Sequence, residues 1–233
     1  PTSLSLFLRC GEAYRRRYVC GEKIPPGLAQ HRGIGVHGGA RTNLQQKIET
    51  RADLPVGDVV DAAVAEYDTS LARQGFQLLP EEQERGVNAA LGEVRDRVAV
   101  LSKLWREALA PTVQPALVEQ KIEMDVAGVR LIGIVALVTE DHAVPDLKTR
   151  RRMPSQDDVD RDPVLTWYDV SVERLTGRRP TSVGFHVLLD HVTPKVEVIT
   201  AKRTDDDRRR LVHYINAALD GIRAGRFLPA APG

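Results

Sequence analysis

The stretch from Val129 to Thr149 constrains this chain more than any other. Val-Arg-Leu-Ile-Gly-Ile-Val-Ala-Leu-Val138 and Ala-Val-Pro-Asp-Leu-Lys-Thr149 are two apolar runs on either side of a polar turn, Thr139-Glu-Asp-His142. Short runs rich in β-branched residues and divided by a turn predict a β-hairpin with at least one largely buried strand. Side chains two apart on a strand leave the same face, so Asp146 and Lys148 project side by side. A carboxylate so placed can hold Mg²⁺ or Mn²⁺. An adjacent ammonium can orient or help deprotonate a water and neutralise developing negative charge. The pairing suits phosphodiester hydrolysis, although a D-x-K triplet also occurs on ordinary surface strands and carries little weight alone.

The rest of the chain must therefore be weighed. At 233 residues, 42% hydrophobic and 28% charged, it can bury one large core. No apolar run approaches the roughly 18 residues of a membrane span and no signal-peptide pattern is present, so a cytoplasmic protein is expected. Pro1 in place of Met reads as the mark of a processed or trimmed chain. A net charge of +1 argues against indiscriminate coating of nucleic acid. Positive charge is nevertheless clustered at Arg15-Arg16-Arg17, from Lys148 to Arg152, at Lys202-Arg203 and from Arg208 to Arg210. Such clusters either meet phosphates or form solvated faces. Cys10 and Cys20, the two cysteines, are too few for a tetrahedral metal site or an iron–sulfur cluster and read as free thiols.

In chain order, residues 3–20 predict a capped amphipathic helix, with Leu6, Cys10 and Tyr14 recurring at i+4 beside Phe7 and Tyr18. Pro25-Pro26 and the flanking glycines break it. Gly33 and Gly35 permit a close backbone approach and lead into a helix carrying His37 near its start. An imidazole there can ligate a divalent metal or contact a phosphate, or be simply structural. Residues 44–110 read as a helical insert that shapes a channel or supports a sheet, in segments of about 40–53, 57–75 and 81–108 punctuated by Pro55-Val-Gly57 and Pro80. Leu117 to Val126 alternates as a strand, with Glu119, Lys121, Glu123 and Asp125 on one face and Val118, Ile122 and Met124 on the other. Ala127-Gly128 forms its turn. Residues 149–163 predict a polar loop, and Val164 to Thr176 a helix with Trp167 and Tyr168, ended by Gly177. Thr181–Leu189 and Lys195–Thr200 predict two strands. Thr204 then caps a last helix striped by Leu211, Tyr214, Ile215, Ala218 and Ile222, with Asp205–Asp207 at its positive end.

In this order the pieces resemble the PD-(D/E)XK nuclease superfamily, in particular its RecB-type exonuclease branch, which includes CRISPR-adaptation and phage recombination nucleases. Ser5-x-Phe7-x-x-Cys10-x-x-x-Tyr14 is similar to the family's first helix, and Arg32-Gly33-x-x-Val36-His37 to its histidine motif. Gly133-Ile-Val-Ala136 falls at its Gly-x-x-Asp. Pro145-Asp146-Leu147-Lys148-Thr149 resembles its catalytic strand, and Leu165-Thr-x-Tyr168 the helix that follows. The resemblance implies an α/β core, a mixed sheet flanked by helices, forming a single nuclease domain over residues 1–233. It implies a metal-dependent DNA nuclease, most simply an exonuclease on single strands or DNA ends in recombination, repair or phage replication, with a recombination or helicase partner. Mg²⁺ or Mn²⁺ would be held by His37, Asp146, the Leu147 carbonyl and the residue at position 136. Lys148 would orient the attacking water, and Tyr168 would contact the DNA backbone or support the site. Glu119 would act as an acid just outside the direct ligands. Arg15, Arg16, Arg32, Arg150 and Arg151 are the candidate phosphate contacts.

Three departures qualify this expectation. Ala136 stands where the pattern has a metal-binding Asp, and a methyl group donates nothing to a metal. Either the site is naturally degenerate or this is a deliberately inactivated variant; because the rest of the motif is intact, an engineered Asp→Ala change is the expectation. Val164 stands where relatives carry Gln. Cys10 matches the first cysteine of the iron–sulfur cluster found in many relatives, but no further cysteine follows Cys20, so a cluster would need a cysteine-bearing tail beyond this sequence. The alternative is a non-catalytic DNA-binding or assembly subunit that keeps the nuclease fold. Coincidental matches on a structural α/β domain form the third reading. Cleavage polarity, DNA versus RNA, endo- versus exonuclease action and oligomeric state stay open.

Overall fold

A computed structural model describes residues 2–126 and 128–230. The N-terminal segment is not one helix but a broken one. Helix α1 (Thr2–Arg9) stops at Cys10, whose extended backbone and sulfur cap α2 (Gly11–Tyr14), and a π-helical turn, Arg15–Val19, follows. The long helices are α3 (Leu28–Thr50), α4 (Val56–Gln74) and α6 (Val87–Ala108), with the short α5 (Pro80–Glu84) between the last two. Helix α3 starts well ahead of its expected beginning near residue 40, so His37 lies mid-helix and not near a helix start. The glycines around it are packing residues. A Cβ on Gly35 would lie 2.9 Å from the Ala63 carbonyl oxygen, and one on Gly39 2.6 Å from that of Val59. The two helices thus meet nearly backbone to backbone, at an i,i+4 spacing that puts both glycines on one face.

The strands are β1 (Pro115–Val126), β2 (Val129–Thr139), β3 (Ala143–Arg150), β4 (Ser182–Leu189) and β5 (Lys195–Ala201). β1 and β2 form an antiparallel pair, while β3 runs parallel to β4 and β4 antiparallel to β5, a mixed sheet. The hairpin expected between β2 and β3 is not formed: both strands exist, but among the described residues no ladder joins them. The reason is local. The Thr139 hydroxyl accepts from the Ala143 amide at 2.9 Å and gives its single proton to the Asp141 carboxylate, so the amide that would begin the ladder is already engaged. His142, with φ of +69°, turns the chain away. The turn expected at Ala127-Gly128 lies partly outside the described residues, and Gly128 has φ of +72°.

Residues 149–163 are not all loop, since β3 runs to Arg150 and Ser155 nucleates α7 (Gln156–Arg161) through a capping box with Asp158. Asp162 caps α8 (Pro163–Thr176), which ends at Gly177 in the left-handed region. Thr204 and Asp207 form the capping box of α9 (Asp205–Arg223). Val144, Val183, Phe185 and Val187 pack against Leu165, Tyr168 and Val172 of α8 and Leu211 and Ile215 of α9. On the opposite face Leu147 and Leu188 pack against Val36, Ala40 and Leu44 of α3, together with Val98, Leu101 and Trp105 of α6. The mixed sheet is therefore covered by helices on both sides, as its parallel pair requires. No helix among the described residues is long and apolar enough to cross a membrane.

Candidate active site

β3 is the edge strand of its sheet, and its free edge looks toward β2. His37 Nε2 donates to the Leu147 carbonyl oxygen there at 2.7 Å, tying α3 to the strand. In the neutral ring this leaves Nδ1 bare. Burial holds the imidazole below its ordinary pKa. Asp146 and the Leu147 bond pull upward, while Lys148 and then Arg41 push down. At neutral pH His37 is thus an uncharged ring with a lone pair to offer.

Asp146 is buried at 4% exposure, on the face of β3 that meets Phe185 and Tyr168. Lys148 Nζ lies 2.7 Å from Asp146 Oδ2 and 5.6 Å from the centre of the Phe185 ring, so carboxylate and aromatic face together fix the ammonium. The approach is an ion pair without hydrogen-bond geometry, and Oδ2 accepts no hydrogen bond from the described residues. The Lys148 ammonium is the cation that offsets burial of this oxygen. Tyr168 is also buried. Burial first, then the charges of Asp146, Asp162 and Glu119, push its phenol well above the usual range.

Glu119 and Ala136 complete the surroundings. Val118 pairs with Leu137 and Gln120 with Val135, so Glu119 stands across from Ala136, the position skipped in the ladder. Glu119 has φ of +52°, a left-handed conformation that costs a non-glycine residue roughly 1–2 kcal/mol. Both strands change faces at this point. Val118 and Leu137 pack among the α3 and α6 side chains, whereas Ile122, Met124 and Val135 pack with those of α8 and α9. A cleft is lined by His37, Arg41, Glu119, Ala136, Leu147 and His186. Burial raises the Glu119 pKa, with Arg41 opposing and Asp146 adding.

The chemistry of these donors fits a hard divalent cation. An imidazole, a carboxylate and a strand carbonyl are oxygen and nitrogen ligands of the kind Mg²⁺ and Mn²⁺ accept. The set is one carboxylate short, however: no three His, Cys, Asp or Glu among the described residues stand together as a metal-holding group.

Other expected residues have different surroundings. Arg32 is buried, its guanidinium engaged by Asp190, which also accepts from Arg97 Nε at 2.7 Å; it clamps α3 and α6 to the end of β4 and is not offered to a phosphate. Arg15 pairs with Glu12 at 2.7 Å and Arg16 with Glu22 at 2.8 Å, both on the surface. Arg150 is exposed and stacks 5.4 Å from the centre of Phe185, next along the strand face from Lys148, and Arg151 is exposed beyond the strand end. Cys10 lies where the chain's last described residues return, as Glu12 N bonds to the Leu228 oxygen at 3.3 Å, but Cys20 is exposed and does not join it. Arg41 and His186 were missed by sequence reading. Arg41 was detectable as the residue one turn beyond His37 on α3, whereas His186 enters the cleft only because β4 pairs with β3 in a register that sets it beside Leu147.

The nuclease resemblance is supported independently. The family model for the PD-(D/E)XK nuclease superfamily matches residues 1–233. No curated protein matches the chain. Among solved structures it is similar to a protein from Eubacterium rectale named "Putative exonuclease", with a TM-score of 0.62 at 10% identity, over 98% of this chain and 82% of the other. That identity is low enough that the likeness speaks for the fold alone, and the family model speaks for membership. Enzymes of this superfamily generally use divalent metals, in keeping with the donors around β3. With the D-x-K pair on a buried edge strand and the histidine of the long helix bonded to that strand, the chain belongs to the PD-(D/E)XK nuclease superfamily.

Proposed function

We propose that this protein is a Mg²⁺- or Mn²⁺-dependent DNA nuclease of the RecB-type branch, acting as an exonuclease on single strands or DNA ends in recombination, repair or phage replication. Residues 1–233 then form one nuclease domain, with the helices of residues 44–110 as an insert. The observation that carries this reading is the Asp146–Lys148 pair beside the His37–Leu147 contact. His37, Asp146 and the Leu147 carbonyl would hold the ion. When bound, such an ion supplies Lewis-acid polarisation of the scissile phosphate. Lys148, tethered by Asp146 but still a third exposed, orients the attacking water and stabilises negative charge growing on the phosphate oxygens. Tyr168 supports Asp146 from α8, and Arg150 and Arg151 continue the cationic track along which a phosphate backbone would lie. The name of the structural neighbour is in keeping with exonuclease action.

Position 136 limits the activity, because Ala136 gives the site no second carboxylate. The test compares the chain with its Ala136→Asp version on 5′- and 3′-labelled single- and double-stranded DNA, with Mn²⁺ and with EDTA. The Asp version is expected to cut at least about 100-fold faster, only with metal. A well-folded Asp version that cuts nothing overturns the reading. Ala136 also favours a second reading, a DNA-binding subunit without chemistry, which predicts salt-sensitive DNA binding by both versions and cleavage by neither.

A further inference from the structure

The N-terminal run Tyr14-Arg-Arg-Arg-Tyr18 contains a cation that the fold leaves uncommitted. Arg15 and Arg16 are paired with Glu12 and Glu22, whereas the exposed Arg17 has no acidic partner among the described residues. Its guanidinium lies 5.6 Å from the centre of the Tyr18 ring, and the Tyr14 ring stands 5.0 Å from the same tyrosine. Tyr18 belongs to the π-helical turn Arg15–Val19, an irregularity of a kind that recurs at functional sites. The ring is thus held by its neighbours while remaining 45% exposed.

Tyr18 lines an open cavity of about 440 Å³ together with the outer side of the β1–β2 ribbon. There Ile132 and Ile134 alternate onto one side of β2, 49% and 52% exposed, where a ribbon facing water ordinarily carries polar residues. Lys121, the cross-strand partner of Ile134, stands beside them, and no acidic side chain among the described residues lines the cavity. Glu123 pairs with Lys121 at 2.7 Å but is shared with Arg130, so it does not cancel both charges. Tyr168 joins the cavity to the candidate active site: it packs in the cluster of Phe185, whose ring faces Lys148. Ile134 lies two residues along β2 from Ala136 of the cleft.

We propose that this cavity is a nucleobase subsite. An unpaired base of the DNA strand stacks on Tyr18 and packs against Ile132 and Ile134, with its phosphates beside Arg17 and Lys121. The inference rests on the nuclease reading and narrows the substrate to strands whose base faces are exposed. An aromatic ring with an apolar wall accepts the flat face of any base, and flanking cations meet the backbone, the combination by which proteins bind single strands without reading sequence. A duplex keeps its base faces stacked inside and gains nothing from such a wall. The uncommitted Arg17 and the lack of a lining carboxylate favour a polyanion over a second copy of the chain.

The test is DNA binding, read by fluorescence anisotropy in EDTA so that no strand is cut. A labelled oligothymidylate of about 12 nucleotides is compared with an abasic strand and a duplex of the same length. The oligothymidylate should bind at least about tenfold tighter than the abasic strand. Tyr18→Ala and Ile134→Ser should each weaken oligothymidylate binding at least about fivefold, leaving abasic and duplex binding within about twofold. Both side chains are about half exposed, so Tm should stay unchanged, and Tyr18→Phe, which keeps the ring, should retain the preference. Arg17→Gln should weaken oligothymidylate and abasic binding alike and lower the salt dependence. Equal affinity for oligothymidylate and abasic strand overturns the proposal, as does a Tyr18→Ala variant indistinguishable from its parent. The nuclease reading survives either result, since cleavage by the Ala136→Asp version decides it. A dimer that Ile134→Ser splits, with DNA binding unchanged, assigns this face to a second copy and also overturns the proposal. If no form of DNA binds and the Ala136→Asp version cuts nothing, the nuclease reading falls with it.

Discussion

The two halves of the cleft are built by different means. On one side His37, Leu147, Asp146 and Lys148 are fixed by a long helix in backbone contact with its neighbour and by a strand buried on both faces. On the other side Glu119 and Ala136 occupy the point where a two-stranded ribbon changes faces, with a strained backbone and no ladder contact between them. The first half has little freedom to adjust and holds the pair proposed to carry the reaction. The second half has slack, and it is the half that departs from the family pattern. The proposed chemistry, which depends on sub-ångström placement, would sit on the rigid half. Variation in the ligand set is best tolerated on the yielding half.

This contrast can be broken most severely at Lys148. In the Ala136→Asp background, Lys148→Ala should cut the rate of DNA cleavage by about 10³-fold or more while leaving far-ultraviolet circular dichroism unchanged. A loss below tenfold would mean that the rigid half does not carry the reaction. Next in size is the support beneath it. Asp190→Ala leaves Arg32 buried without its counter-charge and should lower stability by about 3–5 kcal/mol, read as a fall in the urea midpoint. Loss of less than 1 kcal/mol would show that the clamp is dispensable.

A pH experiment sharpens the comparison from within the cleft. Burial holds the His186 imidazole down at about 4. The unfolded chain takes up this proton near pH 6.5 and the folded one does not, so stability is complete above pH 6.5 and falls as the pH drops toward 4. The loss amounts to about 3 kcal/mol at most. Replacing His186 with Asn should flatten the urea midpoint over that window, and an unchanged slope would assign the effect elsewhere. The smallest effect is expected at Gly39. Alanine favours a helix by about 1 kcal/mol over glycine, yet its Cβ would meet the Val59 oxygen and Ala63, so Gly39→Ala should destabilise by about 1–2 kcal/mol net. Stabilisation would mean that α3 and α4 can move apart without cost.

The sequence carried what local rules determine. Thr204 with Asp207, Gly177, and the apolar runs of β2 to β5 announce their elements because capping and alternation act within a few residues. The D-x-K pair was legible because a strand forces i and i+2 onto one face. What stayed hidden depended on partners distant in the chain. Gly33 and Gly35 announce a close backbone approach, but that Gly35 meets Ala63 and Tyr67 of α4 is visible only once α4 is packed against α3. Arg32 looks like a phosphate contact until Asp190, far along the chain, meets it in the interior. The runs flanking Thr139–His142 read as a hairpin because alternation reports that a strand exists, not which strand it joins. Glu119 could be noticed as an acid at a strand start, but its register with Ala136 belongs to the pairing alone.

The splaying of β2 from β3 has a consequence for what the main chain itself can offer. A continuous sheet consumes its interior carbonyls and amides in the ladder, and nothing bound to such a sheet can reach them. Here one hydroxyl, that of Thr139, engages the amide of the first rung and leaves the edge of β3 unzipped. The Leu147 oxygen is therefore free to meet the imidazole of His37 and remains available to exchange that partner for another. An interruption in the hydrogen-bond pattern is thus what makes a backbone atom chemically accessible at the centre of the fold.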